Sequence, residues 1–141
     1  MTKMTEEQAD AFLRETRIAK LATLNADGSP TVVPVWFEWY GRTAALFTYF
    51  KSPKLTRIRR DNRVTLSVEE PLGAQEAWVT IEGTATIEEA GGIELARRLI
   101  VRYYDEQRVH NVLPGWEKMA REWVVVRVTP QRIHSSAPGT S

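Results

Sequence analysis

Cysteine is missing from the 141-residue sequence, which excludes disulfide bonds, thiolate catalysis and a cysteine-ligated zinc site. Long apolar runs are missing too, since no segment approaches the ~20 apolar residues that a membrane-spanning helix needs. The start, MTKMTEEQADAFL, lacks the basic and then apolar order of a signal peptide. The formal net charge of +1 is too small for a dedicated nucleic-acid binder. Together these features predict a soluble cytoplasmic protein without a membrane or nucleic-acid partner.

Recognisable catalytic motifs are also missing. The sequence contains no H-E-x-x-H, G-x-S-x-G, Walker or dinucleotide-binding pattern. His110 and His134 lie far apart in the sequence, with no metal-ligand spacing around either. The sequence therefore predicts no metal site, and it leaves the catalytic residues unknown.

The predicted elements indicate a mainly β, α+β fold in a single domain. They are a helix capped by Thr5, strands at 17–25, 31–39 and 43–50, a short helix from residue 53, strands at 63–70 and 77–87, a helix at 88–107 and a strand at 122–130. Short turns favour an antiparallel sheet, and six strands in so short a chain favour a small barrel with flanking helices.

Four local features refine this expectation. Gly83 predicts a bulge in the fifth strand, and Pro130 is expected to close the sixth strand. The stretch HNVLPGW, residues 110–116, is expected to be a loop. We assign residues 1–134 to the domain and residues 135–141 to a flexible tail.

The second predicted strand, TVVPVWFEW at residues 31–39, is apolar on both faces. A strand of this kind is expected to be covered on both sides. Pro34 cannot donate a ladder hydrogen bond, so the strand is an edge there, or bulged, or next to something other than a strand.

Positive charge is concentrated in FKSPKLTRIRRDNR, residues 50–63, which holds six basic side chains and one acid. The segment could be a nucleic-acid patch, a solvated helix face or a phosphate pocket. Ser52 suits an N-cap and Pro53 the first helical position, so free backbone N–H groups can attract an anion there. Lys51, Lys54 and Arg57 would add charge at this end, and the hydroxyl of Ser52 could donate to a phosphate oxygen. Leu55 and Ile58 predict the buried stripe of the helix, and the later arginines fit a solvated face better.

Three stretches taken together resemble the split-barrel flavin-binding superfamily related to pyridoxamine 5′-phosphate oxidase. They are ATLNADGSPTVVPVWF, LFTYFKSPKLTRIRRDNRV and WVTIEGTATI, and the resemblance spans roughly residues 5–130. Within the superfamily, the chain is most similar to small reductases that use coenzyme F420, a deazaflavin. The resemblance implies a six-stranded split β-barrel that forms a homodimer, with the cofactor site completed by the second subunit.

The resemblance also implies the cofactor-binding residues. Val33, Pro34, Val35 and Trp36 match the strand that follows the ring and ribityl chain. The positions near the phosphate are Thr48, Tyr49, Ser52 and Lys54, and Trp78 matches a fifth-strand residue that faces the site. Lys51, Pro53 and Arg57 complete the set of candidates because of their place at the basic start of the short helix.

Two departures from the family pattern bear on the cofactor. True pyridoxamine phosphate oxidases carry arginines at the positions of Val33 and Pro53 and end in a Trp…Arg motif that this chain lacks. Oxidation of pyridoxamine phosphate is therefore not expected, and F420 is favoured over FMN, because Lys51 and Arg57 suit its longer anionic tail.

Three readings of function follow. The first is a reductase in which F420 passes hydride to a small electron-poor organic substrate, with Trp36, Trp39 and Trp78 as candidate walls for a flat molecule. The second is an FMN-binding oxidoreductase or a non-catalytic flavin carrier on the same fold. The third, a small nucleic-acid-binding barrel, is disfavoured by the near-neutral charge.

Overall fold

A computed structural model describes residues 1–138 of the chain. Within these residues, the helices are α1 (Glu6–Arg14), α2 (Pro53–Arg60), α3 (Gly92–Tyr103) and α4 (Glu106–Lys118), with a 3₁₀ turn at Ala120–Glu122. The strands are β1 (Ala19–Leu24), β2 (Pro30–Val35), β3 (Glu38–Tyr40), β4 (Thr43–Tyr49), β5 (Arg63–Glu69), β6 (Trp78–Glu88) and β7 (Trp123–Ser136). No helix in this part of the chain is long and apolar enough to cross a membrane.

All the strands join one curled antiparallel sheet in the order β2-β1-β5-β6-β7-β4-β3. The antiparallel, mainly β fold predicted from the sequence is confirmed. The predicted number of six strands is wrong, because the described chain has seven. The expected second strand breaks after Val35 into β2, which pairs with β1, and β3, which pairs with β4.

The break between β2 and β3 carries the chain from one edge of the sheet to the other. Phe37 sits in this connection and is 1% exposed, so it is anchored in the core. Pro34 lies on β2, which is an edge strand of the sheet. An edge strand tolerates proline, because only one of its sides pairs with another strand. The place of Pro34 confirms one of the three options that the sequence allowed.

The core fills the inside of the curled sheet and is closed by α1 and α2. Thr5 caps α1 through a reciprocal capping box with Gln8, as the sequence predicts for this N-terminus. Leu55 and Ile58 are 0% and 3% exposed, which confirms the predicted buried stripe of α2. This packing fixes the start of α2 against the sheet.

Two boundary predictions are corrected by the structure. Pro130 does not end the last strand, because β7 continues to Ser136. Pro130 lies opposite Gly83, where the register of β6 and β7 shifts, so the predicted irregularity at Gly83 is confirmed. A Cβ at Gly83 would lie 2.1 Å from the oxygen of Thr129, so the two strands approach closely here.

The expected tail also differs in its first residues. Ser135 and Ser136 belong to β7, and Ala137 forms an isolated bridge with Thr2. Residues 139–141 lie outside the described part of the chain. Flexibility of the tail therefore stays a prediction.

The stretch expected to be a loop, residues 110–116, lies inside α4. The expected helix at 88–107 is shorter and ends at Tyr103, after which Asp105 caps α4 by accepting from the N–H of Arg108. Pro114 falls in the second half of α4, and a proline there is normally a signal against helix.

Gly92 begins α3 where the helix touches β7. A Cβ on Gly92 would lie 2.1 Å from the carbonyl oxygen of Trp123, a backbone atom that cannot move aside easily. Gly115 in α4 offers the opposite case, because a Cβ there meets nothing within 4 Å.

We expect Gly92→Ala to destabilise the fold by about 1–3 kcal/mol through overpacking. Gly115→Ala should leave stability unchanged or raise it by up to ~1 kcal/mol, since alanine favours helix over glycine. Urea unfolding of both variants measures the difference. Equal midpoints for the two variants would contradict the close approach of α3 to β7.

Candidate functional site

A cavity of about 500 Å³ opens where the end of β2 approaches β4 and the start of α2. Its walls combine one cation with apolar and aromatic side chains. The lining residues are Ile18, Pro34, Val35, Trp36, Phe47, Lys54, Tyr104 and Trp116. The cavity therefore lies beside the connection that joins the two edges of the sheet.

Lys54 is the charged group of the cavity. Its Nζ donates hydrogen bonds of 3.1 Å to the hydroxyls of Thr48 and Ser52. Burial lowers the pKa of Lys54 from its ordinary value, and the positive charge of Arg57 lowers it further. No carboxylate in the described part of the chain forms a salt bridge with Lys54.

The start of α2 adds further donors next to Lys54. Ser52 occupies the N-cap position, but its side chain makes no capping hydrogen bond to the helix. Pro53 takes the first helical position and is exposed. Arg57 donates through Nε to the hydroxyl of Thr23, which is 1% exposed, and this bond holds the guanidinium on the Lys54 side of the helix. Cations and free helix N–H groups together make an anion site.

The structure brings three of the four predicted residues of the second strand into the cavity wall. Pro34, Val35 and Trp36 line it together with Lys54. Val33 instead packs against the core as a partly buried side chain.

Three predicted residues lie away from the cavity wall. The Nζ of Lys51 is 5.4 Å from the ring centroid of Phe50. Tyr49 packs edge-on to Phe50 and Trp123. Trp78 pairs with Ser136 near the far end of β7 from Val124, the partner of Thr48. Within one chain, Trp78 is therefore separated from the Lys54 end of the barrel.

Tryptophan at position 39, which the sequence suggested as a candidate wall, belongs to the core. Trp39 is 5% exposed, and its indole N–H donates to Asp10 on α1. Its role is to hold α1 against β3.

The later part of the basic segment is exposed to solvent. Arg59 and Arg60 are exposed at the end of α2. Arg63 pairs with Asp61 at 2.6 Å, and this hydrogen-bonded pair lowers the pKa of Asp61 to about 2. The segment is thus divided into a part that meets the cavity and a solvated part, as the sequence suggested.

Four lining residues were missed by the sequence analysis: Ile18, Phe47, Tyr104 and Trp116. Phe47 directly precedes the predicted Thr48, so the strand was identified but not its cavity-facing residue. Trp116 was missed because HNVLPGW was expected to be a loop. Asp105 as a cap, followed by Val109, Leu113 and Trp116 at helical spacing, was the signal that could have found it.

Comparison with known proteins identifies a family and a related reductase. A model of the family described as pyridoxamine 5′-phosphate oxidase matches residues 5–137. An F420H(2)-dependent biliverdin reductase from Mycobacterium tuberculosis is 33% identical over 138 residues, which cover 96% of this chain and 91% of the relative.

Solved structures agree on the fold. A conserved hypothetical protein from Mycobacterium tuberculosis, Rv2991, superposes with a TM-score of 0.78 at 26% identity, covering 98% of this chain and 91% of that one. A structure described as an F420 reductase superposes with a TM-score of 0.71 at 23% identity, covering 88% and 94% of the two chains. At 23% identity, the similarity to the F420 reductase structure is evidence for the fold alone.

The depressed pKa of Lys54 predicts a pH dependence of stability. Because the folded-state pKa lies below the unfolded one, the charged lysine destabilises the fold at neutral pH. This penalty is removed as the pH rises through the lowered pKa toward the ordinary lysine value of about 10.4. Wild type should therefore gain stability relative to Lys54→Met between about pH 7 and pH 10.

Urea unfolding at a series of pH values measures this difference. Lys51→Met is the matched control, because that side chain is exposed. If both variants differ from wild type by a constant amount across the series, Lys54 is not desolvated as described.

Proposed function

Since the chain belongs to the pyridoxamine 5′-phosphate oxidase family, we propose that it is an F420-dependent reductase acting on a small electron-poor organic substrate. The observation that carries this proposal is the ammonium of Lys54 at the rim of an aromatic cavity. Two hydroxyls hold it there, and no carboxylate of residues 1–138 forms a salt bridge with it. A partly buried cation without an ionic partner is costly, and a bound anion would offset that cost.

The residues at the start of α2 fit the phosphate of such a cofactor. Lys54 and the hydroxyl of Ser52 would bind phosphate oxygens, together with the free N–H groups of the helix start. Pro34, Val35 and Trp36 would lie along the ring system, because they line the apolar part of the same cavity. When bound, the deazaflavin supplies the hydride chemistry, and the protein orients the ring and excludes water.

Two considerations favour F420 over FMN. The relative at 33% identity is itself an F420H(2)-dependent reductase. Val33 and Pro53 stand where the resemblance places the arginines of FMN-using oxidases, so that positive charge is missing here. The remaining cations of the proposed site are Lys54 and Arg57, with Lys51 nearby in the sequence.

We also infer a homodimer. Val32 is 59% exposed, and Pro34 is exposed on the same face of edge strand β2. On the neighbouring strand β1, Ala22 pairs with Val32 and Lys20 pairs with Pro34. The apolar surface therefore extends onto β1 at Ala22 but not at Lys20. A second copy would cover this face and could bring its own Trp78 toward the site. A cytoplasmic location and the lack of a nucleic-acid partner stay predictions from the sequence.

The phosphate assignment predicts unequal roles for two basic residues of α2. A charge-assisted hydrogen bond is worth roughly 1.5–3 kcal/mol, so Lys54→Ala should weaken F420 binding by about ten- to more than hundredfold. Arg59→Ala should change binding by a few-fold at most, because the charge of an exposed side chain is screened within about 8–10 Å. Fluorescence titration with F420 measures both constants.

Titration with FMN in parallel tests the choice of cofactor. We expect F420 to bind more tightly than FMN to the wild-type protein. Tight FMN binding without a response to F420 would favour a flavin carrier or an FMN enzyme. Equal losses for Lys54→Ala and Arg59→Ala would indicate a diffuse electrostatic surface in place of a phosphate site.

The dimer inference is tested with two exposed valines. Val32 on β2 and Val101 on α3 are 59% and 63% exposed, which makes them a matched pair. Val32→Lys should shift the protein toward monomer in light scattering at micromolar concentration, because it places charge in the proposed interface. Val101→Lys should leave the molecular mass unchanged. A monomeric wild type would refute the shared site.

A further inference from the structure

One wall of the cavity is built from aromatic rings that come from four parts of the chain. Trp36 follows β2, Phe47 lies on β4, Tyr104 follows α3 and Trp116 lies on α4. The ring centroids of Trp36 and Tyr104 are 4.7 Å apart, and those of Phe47 and Trp116 are 5.4 Å apart. Trp36 and Trp116 join these two pairs with centroids 6.1 Å apart, so the four rings form one continuous cluster.

The ring of Trp36 is held in place by Tyr103. It stacks on Tyr103 with centroids 4.8 Å apart and planes 2° from parallel. The hydroxyl of Tyr103 donates a 2.6 Å hydrogen bond to the carbonyl oxygen of Arg17. This bond ties the stacked pair to the chain that enters β1, so the indole plane of Trp36 is fixed before any ligand arrives.

Trp116 is held in a different way, through the backbone of α4. The indole N–H of Trp123 donates to the carbonyl oxygen of Trp116 at 3.0 Å. Arg97 of α3 binds the carboxylate of Glu117, the next residue, with two hydrogen bonds of 2.6 Å. Both contacts position the last turns of α4 against the cavity.

The ring of Trp116 is not among the buried core residues. No residue of α4 is fully buried, and Trp116 itself keeps part of its surface exposed. A half-buried indole on a superficial helix, turned toward a cavity, offers apolar area to whatever enters. Among the described lining residues only Lys54 is charged. One further cation, the guanidinium of Arg108, lies 3.9 Å from the ring centroid of Tyr104.

From this division we propose that the part of the aromatic cluster formed by Phe47, Tyr104 and Trp116 binds the acceptor substrate, next to the cofactor ring that Trp36 would contact. We propose further that Trp116 is a specificity-determining residue that selects planar conjugated rings. The proposal rests on the proposed function, in which Lys54 holds the anionic part of the cofactor. Aromatic faces and edges favour a flat π system over a saturated ring of equal size, because the ring quadrupoles add to the apolar contact.

The test uses a matched pair of probes that undergo no redox reaction: 1-naphthol, which is flat, and decahydro-1-naphthol, its saturated counterpart. Binding is measured by isothermal titration calorimetry on the full chain in the presence of saturating oxidised F420. Three variants are compared with wild type. Trp116→Leu removes the ring and keeps apolar bulk, Trp116→Phe keeps a ring, and Leu113→Ala alters α4 one turn earlier on the neighbouring groove.

Wild type should prefer 1-naphthol, and Trp116→Leu should weaken 1-naphthol binding by about three- to tenfold while leaving decahydro-1-naphthol nearly unchanged. Trp116→Phe should restore most of the preference, and Leu113→Ala should behave like wild type. Thermal unfolding and the F420 titration confirm that each variant folds and keeps the cofactor site.

Three results would overturn the proposal. Equal binding of the two probes to wild type would remove the selection for planar rings. Equal losses in Trp116→Leu and Leu113→Ala would make Trp116 a helix anchor only. Loss of F420 binding in Trp116→Leu would assign the aromatic cluster to the cofactor ring. Failure of wild type to bind F420 would refute the proposed function instead. Titration with the same two probes in the absence of F420 would then test whether the aromatic cluster selects planar rings.

Discussion

The short connection at Trp36 and Phe37 is the constraint on which the rest of the structure depends. It joins β2 and β3, which are consecutive in the chain but lie at opposite edges of the sheet. A two-residue link can span those edges only if the sheet curls until they come close. Phe37 secures the link by burying its ring, at 1% exposure, inside the curl. The covalent link between β2 and β3 therefore closes the barrel, while the barrel remains split between these two strands, which form no ladder in the described sheet.

The split also explains why a site can exist at this place. Hydrogen bonds between β2 and β3 would fill the gap, whereas their absence in the described sheet leaves room for a cavity beside Trp36. The start of α2 borders the same gap and brings Lys54 with it. Lys54 is costly there, because burial disfavours its charge and the hydroxyls of Thr48 and Ser52 compensate only in part. Natural sequences retain such a cost where a ligand offsets it.

The fold could be anticipated wherever local chemistry decides the outcome. The cap at Thr5 and the buried stripe of Leu55 and Ile58 depend on neighbours in the sequence. The irregularity at Gly83 depends on the space that glycine alone leaves. The break at Trp36 could not be anticipated, because β2 and β3 read as one apolar run, and only the pairing partners separate them.

The aromatic side of the site was anticipated only at Trp36, for a related reason. The cationic side is contiguous in sequence, so Ser52 and Lys54 could be named from a strand that leads into a helix start. The aromatic side is assembled by tertiary packing from distant segments. Pro114 was a further reason to expect a loop in place of α4. It lies late in the helix, so the earlier turns stay intact and Trp116 still lines the cavity.

The two sides of the site should also respond differently to pH, for reasons that lie in their burial. Burial raises the pKa of Tyr103, so its phenol stays protonated and continues to donate to the carbonyl of Arg17 well into the alkaline range. The stacked support of Trp36 is thus insensitive to pH under ordinary conditions. Burial acts on Lys54 in the opposite sense and lowers its pKa, because there the charged form is the protonated one. The same physical cause therefore makes the aromatic side constant and the cationic side titratable, and alkaline loss of anion binding would originate at Lys54.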